Sequence, residues 1–432
     1  MTSLLEPGMQ LCGESGALVT VRRLLGAGGQ GEVYEGRTND GRDVAIKWYH
    51  EPFQTAELRE SIAVLVQERA PSERFLWPGD IVSANRRFGY VMPLRPPHYA
   101  SLTKVLGRQV SIKFKELVRG ANHTVAAFKA LQAKGLFYCD ISDGNLFIDS
   151  ATGDVLICDN DNVGTTRTTS RVLGTPRFMA PEIVRGEKKP SALTDSFSMA
   201  VLLFLLLMND HPLHGEAESR IHVLDAAAMR QIYGINPVFI FDPVNGSNRP
   251  VPGVHVNAPI FWKLYPKVVR DIFTRVFTEG LADPGRRPAF GQWESALSAA
   301  VDAIFECSQC GRQNFYCPTN AAGTCWGCAK PFRTPPRLAI DGRRVVILNP
   351  DTKLYAHHLS KRGEALLPDP PLAEVVKHAT LDVYGLKNLG ARQWFASIPG
   401  AASAHPVAPG RSVTLTPGTQ IDFGAVHAVI EQ

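Results

Sequence analysis

Apolar and polar positions change period along the chain. Between residues 17 and 49 the β-branched and apolar runs ALVTVRRLL, EVYEGRT and DVAIKWY predict strands, interrupted by GAGGQG and by the turn signal NDGR. In TAELRESIAVLVQER (55–69), Leu58, Ile62, Leu65 and Val66 share one face at helical spacing. IVSANRRFGYVMPL (81–94) predicts a hairpin, stopped by RPP (95–97). A long helix is predicted over 114–135, ended by Gly135. The loop LFYCDISDGNLFID (136–149) follows, then the turn DSATGD (149–154) and the strand VLICD. Further helices are predicted at 192–208, 266–280 and 289–305. A strand-rich part thus precedes a helix-rich part, with no linker between them. After a cysteine-rich stretch (307–328) and the linker FRTPPR (332–337), the segments RRVVILN, TKLYAH, RQWFASI, RSVTLT and HAVIEQ predict an all-β module.

The 432 residues exceed one ordinary core and point to two or three domains. A net charge of +5, from 46 basic and 41 acidic residues, is too small to argue for a nucleic-acid or membrane partner. MAVLLFLLLM (199–208) is roughly half a bilayer span and is expected as a buried helix. The N-terminal MTSLLEPGMQ lacks a basic region followed by an apolar core, so a cytoplasmic protein is expected. Cys12, Cys139 and Cys158 are isolated, whereas five of the eight cysteines crowd into 307–328.

The chemistry begins at Gly26, Gly28 and Gly31. Glycines between two strands let backbone N–H groups approach phosphates, although a plain Gly-rich hairpin has the same pattern. Lys47 sits among apolar strand residues, where burial is costly without an anionic partner. Glu60 on the following helix is the expected partner, with Glu57 the neighbouring alternative and Glu68 too late in the helix. Asp140 and Asn145 lie on one loop, and Asp159 ends the strand VLIC fourteen residues beyond Asn145. Oxygen ligands of this kind suit Mg²⁺ bound with a nucleoside triphosphate.

With GTPRFMAPE (174–182), Asp195 and DPGRRP (283–288) added in this order, residues 17–300 resemble a eukaryotic-like, bacterial-type serine/threonine protein kinase. The resemblance implies a two-lobed α+β fold with ATP and Mg²⁺ (or Mn²⁺) in the cleft. Gly26, Gly28 and Gly31 would cover the phosphates. Lys47, held by Glu60, would grip them. Val33, Ala45, Met92, Pro93 and Leu94 would line the nucleotide site, with Pro93–Arg95 as hinge. Asp140 would accept the proton of the attacking hydroxyl, and Asn145 and Asp159 would hold the metal. Glu182 and Arg287 would form a structural ion pair, and Asp195 would brace the catalytic loop.

The departures are specific. Tyr138, Cys139 and Ser142 stand where the family's usual loop has His, Arg and Lys. Losing that Arg is expected to remove control through a phosphorylated loop, the non-RD type. Losing that Lys removes a charge from the transferring phosphate, at a cost on the order of 10²-fold. Asp159-Asn160-Asp161 replaces Asp-Phe-Gly, with Asp161 open between a turn former, the favoured reading, and a second ligand. Cys139 and Cys158 are expected as buried, inert thiols rather than a redox switch. TTRTTS (165–170) is a candidate autophosphorylation site, equally a plain polar loop, and Thr175 resembles the residue that contacts the catalytic Asp in serine/threonine kinases, which points to Ser/Thr acceptors. A nucleotide-binding pseudokinase scaffold is the alternative, and a small-molecule kinase a third.

Cys307-Ser-Gln-Cys310 and Cys325-Trp-Gly-Cys328 predict a structural zinc ribbon, with Cys317 a spare. In the tail, EVVKH (374–378), LKNLG (386–390), Trp394 and PGRSVTLTPGTQIDFG (409–424) resemble a forkhead-associated (FHA) β-sandwich. The resemblance implies phosphothreonine reading through Arg, Ser and Asn on loops, but Val375 replaces the serine and Asn388 is followed by Leu389 rather than Gly, so protein docking is expected there. The expected organisation is a kinase N-lobe (1–94), a C-lobe (95–305), a zinc ribbon (306–332) and an FHA-like domain (333–432). The arrangement resembles kinases that act beside von Willebrand factor A-like proteins and PP2C-type phosphatases, which are the expected partners besides protein substrates.

Overall fold

The β-branched and aromatic residues before position 94 form six strands: β1 (Gln10–Gly13), β2 (Leu18–Ala27), β3 (Gly31–Thr38), β4 (Asp43–Tyr49), β5 (Asp80–Ala84) and β6 (Arg87–Pro93). In this computed structural model, which describes residues 3–165, 173–318, 323–350, 352–360 and 370–432, they close into an antiparallel barrel of order β1-β2-β3-β4-β6-β5. Closure depends on β1, which the sequence pattern did not predict. Cys12 pairs with Leu18 on one side and Ser83 on the other. Leu11, Val19, Val21, Tyr34, Ile46 and Trp48 pack inside. One helix, α1 (Ala56–Glu68), interrupts the strands. Its N-cap Thr55 accepts a hydrogen bond from Leu58 N, and Ile62 and Leu65 are its buried residues.

Beyond the barrel the helical pattern holds. The chain forms helices Phe114–Ala133, Ala192–Met208, Lys267–Phe277 and Phe290–Asp302. The helix Ala192–Met208 starts at a capping box between Ser191 and Thr194 and buries nearly all its side chains, as its apolar run requires. Among the described residues no helix is long and apolar enough to cross a membrane. The predicted hairpin around DSATGD is formed by Leu146–Asp149 and Val155–Ile157.

Two compact units result. The first comprises residues 1–112, 123–254 and 276–287, and so contains the barrel and the loops carrying Asp140 and Asp159. The second comprises 113–122, 255–275 and 288–432. It contains the four-cysteine segment and a β-sandwich. One sheet of the sandwich has six strands in the order Arg344–Ile347, Arg337–Ile340, His427–Glu431, Gln420–Asp422, Trp394–Ser397, His405–Val407. The other has four, in the order Lys353–Leu354, Ala373–Lys377, Tyr384–Asn388, Ser412–Thr414. Inward positions such as Leu338, Leu386, Trp394, Val413 and Ile430 form its core. Strand Trp394–Ser397 alternates buried and exposed, the period of a sheet with one covered face.

Candidate active site and metal centre

Strand register gathers the first group of side chains. Val33 pairs with Lys47, Lys47 with Tyr90, and Ala45 with Met92. Directly opposed residues share a sheet face, as do residues two apart, so Val33, Ala45, Lys47, Tyr90 and Met92 line one face. Pro93 is exposed and Leu94 half-buried at the end of β6. The Arg95 guanidinium then lies 4.4 Å from the Phe147 ring centre. In the Gly-rich turn, Gly28 N donates to Gly31 O at 2.8 Å, closing the loop. A Cβ on Gly31 would meet Trp48 O at 2.2 Å, so only glycine fits that approach.

Lys47 is buried, and its ammonium has three oxygen partners. They are Asp159 Oδ1 at 2.5 Å, Asp161 Oδ2 at 2.7 Å and Gln30 Oε1 at 3.0 Å. Burial disfavours its charge, but the Asp161 and Asp159 carboxylates outweigh this and hold its pKa above the usual lysine value. The expected partner Glu60 is a correction. It lies on the exposed face of α1, as does Glu57, while the three N–H donors of Lys47 already go to Gln30, Asp159 and Asp161.

Asp161 is more than the turn former favoured by its sequence context. It belongs to the 3₁₀ turn Asn160–Asn162, and its side chain is 1% exposed. The Tyr49 hydroxyl donates to Asp161 Oδ2 at 2.5 Å, whereas its Oδ1 is buried with no hydrogen-bond partner. Burial and the Asp161 carboxylate push the Asp159 carboxyl above its ordinary value, against the pull of Lys47. Two carboxylates against one ammonium leave surplus negative charge where Asp159 is still a third exposed. That surplus fits a divalent cation.

The catalytic-loop candidates are fixed by backbone contacts. Asn145 Nδ2 donates to Asp140 O at 3.0 Å, and Cys158 N donates to Asn145 O at 3.0 Å, tying the loops of Asp140 and Asp159 together. The Thr175 hydroxyl donates to Asp140 Oδ1 at 2.9 Å, the contact expected of that threonine. Asp195 is buried and accepts from Tyr138 N and, at 3.2 Å, from Cys139 N. Its burial, only partly offset by these N–H groups, pushes its carboxyl up to about 7. Cys139 holds a left-handed backbone (φ 70°) at this brace. The Tyr138 hydroxyl donates to Cys158 O, a second tie between the two loops. Cys139 is buried and Cys158 half-buried, with burial pushing the Cys158 thiol up to about 12, as an inert thiol requires. Glu182 and Arg287 form the expected ion pair, bidentate at 2.8 and 2.9 Å. Residues 166–170 of the candidate autophosphorylation stretch lie outside the described residues.

In the second unit, Cys307, Cys310, Cys325 and Cys328 bring their sulfurs within 4.8 Å of one another. The contacts Cys307–Cys328 (3.9 Å) and Cys310–Cys325 (3.7 Å) match the roughly 3.8 Å edge of a tetrahedron of Zn–S bonds. Two equivalent turns build the site. Cys307 N donates to Arg312 O and Gly311 N to Cys307 O. Cys325 N donates to Lys330 O and Ala329 N to Cys325 O. Gly311 and Ala329 both have positive φ, at 68° and 57°. Burial raises the Cys325 thiol, but the N–H of Gly327 and the amide of Asn314 outweigh it and bring it down to about 6. Cys317 lies outside this cluster.

Asn388, the tail residue most suggestive of ligand reading, is fully buried. Its amide donates to Arg392 O and Val407 O and accepts from Gly390 N.

The family described as "Protein kinase domain" matches residues 19–249. The chain is 25% identical over 217 residues to the serine/threonine-protein kinase pim-2 of Danio rerio, covering 46% of this chain and 70% of that protein. It is 26% identical over 208 residues to CBL-interacting protein kinase 19 of Oryza sativa subsp. japonica, covering 45% and 39%. To serine/threonine-protein kinase D3 of Homo sapiens it is 26% identical over 229 residues, covering 50% and 24%. The chain thus spans well under half the length of the rice and human relatives.

Proposed function

Because the chain belongs to the protein kinase domain family, matched over more than half its length, we propose that it transfers the γ-phosphate of ATP to Ser or Thr hydroxyls of partner proteins. The observation that carries this reading is the Lys47–Asp159 contact at 2.5 Å, which sets a phosphate-gripping cation against a metal-binding carboxylate. ATP would supply the phosphoryl group, and bound Mg²⁺ (or Mn²⁺) would neutralise its charge. Gly26, Gly28 and Gly31 cover the phosphates, Lys47 orients them, and Asn145 and Asp159 hold the cation. Val33, Ala45, Met92, Pro93 and Leu94 receive the base. Asp140, aimed by Thr175, accepts the proton of the acceptor hydroxyl as its oxygen bonds to phosphorus and ADP departs.

Cys139 in place of the family's arginine makes this a non-RD kinase, uncoupled from loop phosphorylation. Ser142 in place of lysine makes it slow. Ser142 also favours the second reading, a nucleotide-binding pseudokinase scaffold. The four cysteines are read as a structural zinc ribbon and the sandwich as an FHA-like domain. Since Asn388 is consumed by backbone contacts, the sandwich docks proteins rather than reading phosphothreonine. The partners proposed are von Willebrand factor A-like and PP2C-type proteins in the cytoplasm, on the resemblance of the domain arrangement.

The test uses labelled ATP with Mg²⁺, following self-labelling and transfer to casein. Wild-type protein transfers label, and Lys47→Ala and Asp140→Ala each lose at least about 10²-fold. Transfer surviving in Asp140→Ala removes that residue from its role. ATP binding without any transfer establishes the scaffold instead.

A further inference from the structure

We propose that Asp161, not a glutamate of helix α1, is the standing anchor that positions Lys47 for nucleotide. This rests on the kinase reading above. All three ammonium donors of Lys47 are engaged, and the three partners differ in how they respond to a bound nucleotide. Gln30 sits in the Gly-rich turn, which must move over phosphates. Asp159 is one-third exposed and would face a bound cation. Asp161 is closed off: its side chain is 1% exposed and its Oδ2 is also fixed by Tyr49 at 2.5 Å. When phosphate oxygens and a cation take over Gln30 and Asp159, Asp161 is the contact left to hold the lysine.

Two further observations fit. Asp161 Oδ1 is buried without a hydrogen-bond partner, and so is Tyr90 Oη. Tyr90 pairs with Lys47 across the strands, on the same sheet face. An unsatisfied buried carboxylate oxygen is costly, and the Lys47 ammonium 2.7 Å from Oδ2 offsets part of that cost. Meanwhile Glu60 is exposed on α1. In this arrangement the lysine's anchor lies two residues from the metal-binding Asp159, on the same turn. No glutamate of α1 therefore holds the lysine directly, and Asp161 is a positioning residue acting through Lys47.

The experiment is a binding cycle on the full chain. The probe is a fluorescent trinitrophenyl derivative of ATP, titrated with EDTA and again with Mg²⁺. Asp161→Asn weakens binding on the order of 10-fold or more, and Tyr49→Phe weakens it in the same direction by less. In a Lys47→Met background the Asp161→Asn effect disappears, because there is no ammonium left to position. Glu60→Gln keeps the wild-type Kd within about twofold. An equal loss in both backgrounds makes Asp161 merely structural and overturns the proposal, as does a loss in Glu60→Gln matching that in Asp161→Asn. Should Asp161→Asn not fold, Tyr49→Phe with wild-type affinity overturns it. Wild-type protein that binds no nucleotide removes the kinase reading and this inference together. Binding that depends on Lys47 but not on Asp161 removes this inference alone.

Discussion

Separating Glu182 from Arg287 gives the sharpest stability test. Both side chains are buried, at 7% and 1% exposed, and joined by two parallel bonds. Breaking a buried pair by removing one partner costs about 3–5 kcal/mol, because the other charge is stranded. The two sides are unequal here. After Glu182→Ala, the Arg287 guanidinium still donates to Gly280 O at 3.0 Å and Leu193 O at 2.8 Å, and lies 5.1 Å from the Phe197 ring centre. After Arg287→Ala, both Glu182 carboxylate oxygens lose their partner and two backbone carbonyls lose theirs. The expected costs are therefore about 3 kcal/mol for Glu182→Ala and about 5 kcal/mol for Arg287→Ala. At roughly 2–4 °C per kcal/mol for a body of this size, these lower Tm by about 6–20 °C. Thermal unfolding followed by near-UV circular dichroism measures both. A double variant, Glu182→Met with Arg287→Leu, recovers at least half the loss, since two apolar side chains strand no charge. Single variants within about 1 kcal/mol of wild type, or a double variant equal to the sum, refute the reasoning.

Three other outcomes follow from the geometry. Gly31→Ala forces β3 away from Trp48 O, 2.2 Å from the new Cβ, so it destabilises by about 1–3 kcal/mol, read by urea denaturation; unchanged stability contradicts the contact. Purified protein carries about one zinc per chain by elemental analysis, and Cys325→Ser loses it and lowers Tm; metal-free protein of unchanged Tm contradicts the ribbon. Asp195, raised to about 7 by burial, stabilises the fold below the ordinary carboxylate value, and that contribution is lost as pH rises through about 7. Measured against Asp195→Asn, which does not titrate, wild type gains on the order of 2–3 kcal/mol at pH 5 relative to pH 8, and a pH-independent difference contradicts it.

Much of this was legible because the signals are local. Alternation marked the strands, helical spacing marked α1 and Ala192–Met208, and motif order singled out Lys47, Asp140, Asn145 and Asp159, of which Lys47 meets Asp159 and Asn145 meets the Asp140 backbone. What escaped depends on distant contacts. β1 is only QLCG, and becomes a strand because β2 and β5 leave pairing partners on both sides. The choice between Glu60 and Asp161 could not be made from spacing, since the α1 face that turns inward is set by Ile62 and Leu65, which leave Glu60 outside. Asp161 carried one signal: a second carboxylate where the family has glycine. Asn388 had the right type and neighbourhood for ligand reading, yet the backbone of 390–407 claims every polar atom it has.

The closed barrel has a consequence for association. β1 pairs with both β2 and β5, but it covers only the first part of β2, and residues 22–27 of that strand pair with β3 alone. A foreign extended peptide therefore meets a free barrel edge along that half of β2, and closure guards the rest against edge-to-edge aggregation. The sandwich differs. Its sheets end in Arg344–Ile347, His405–Val407, Lys353–Leu354 and Ser412–Thr414, each only two to four residues long. A peptide added at those short margins gains few backbone bonds, so a binder of the sandwich must read its side chains.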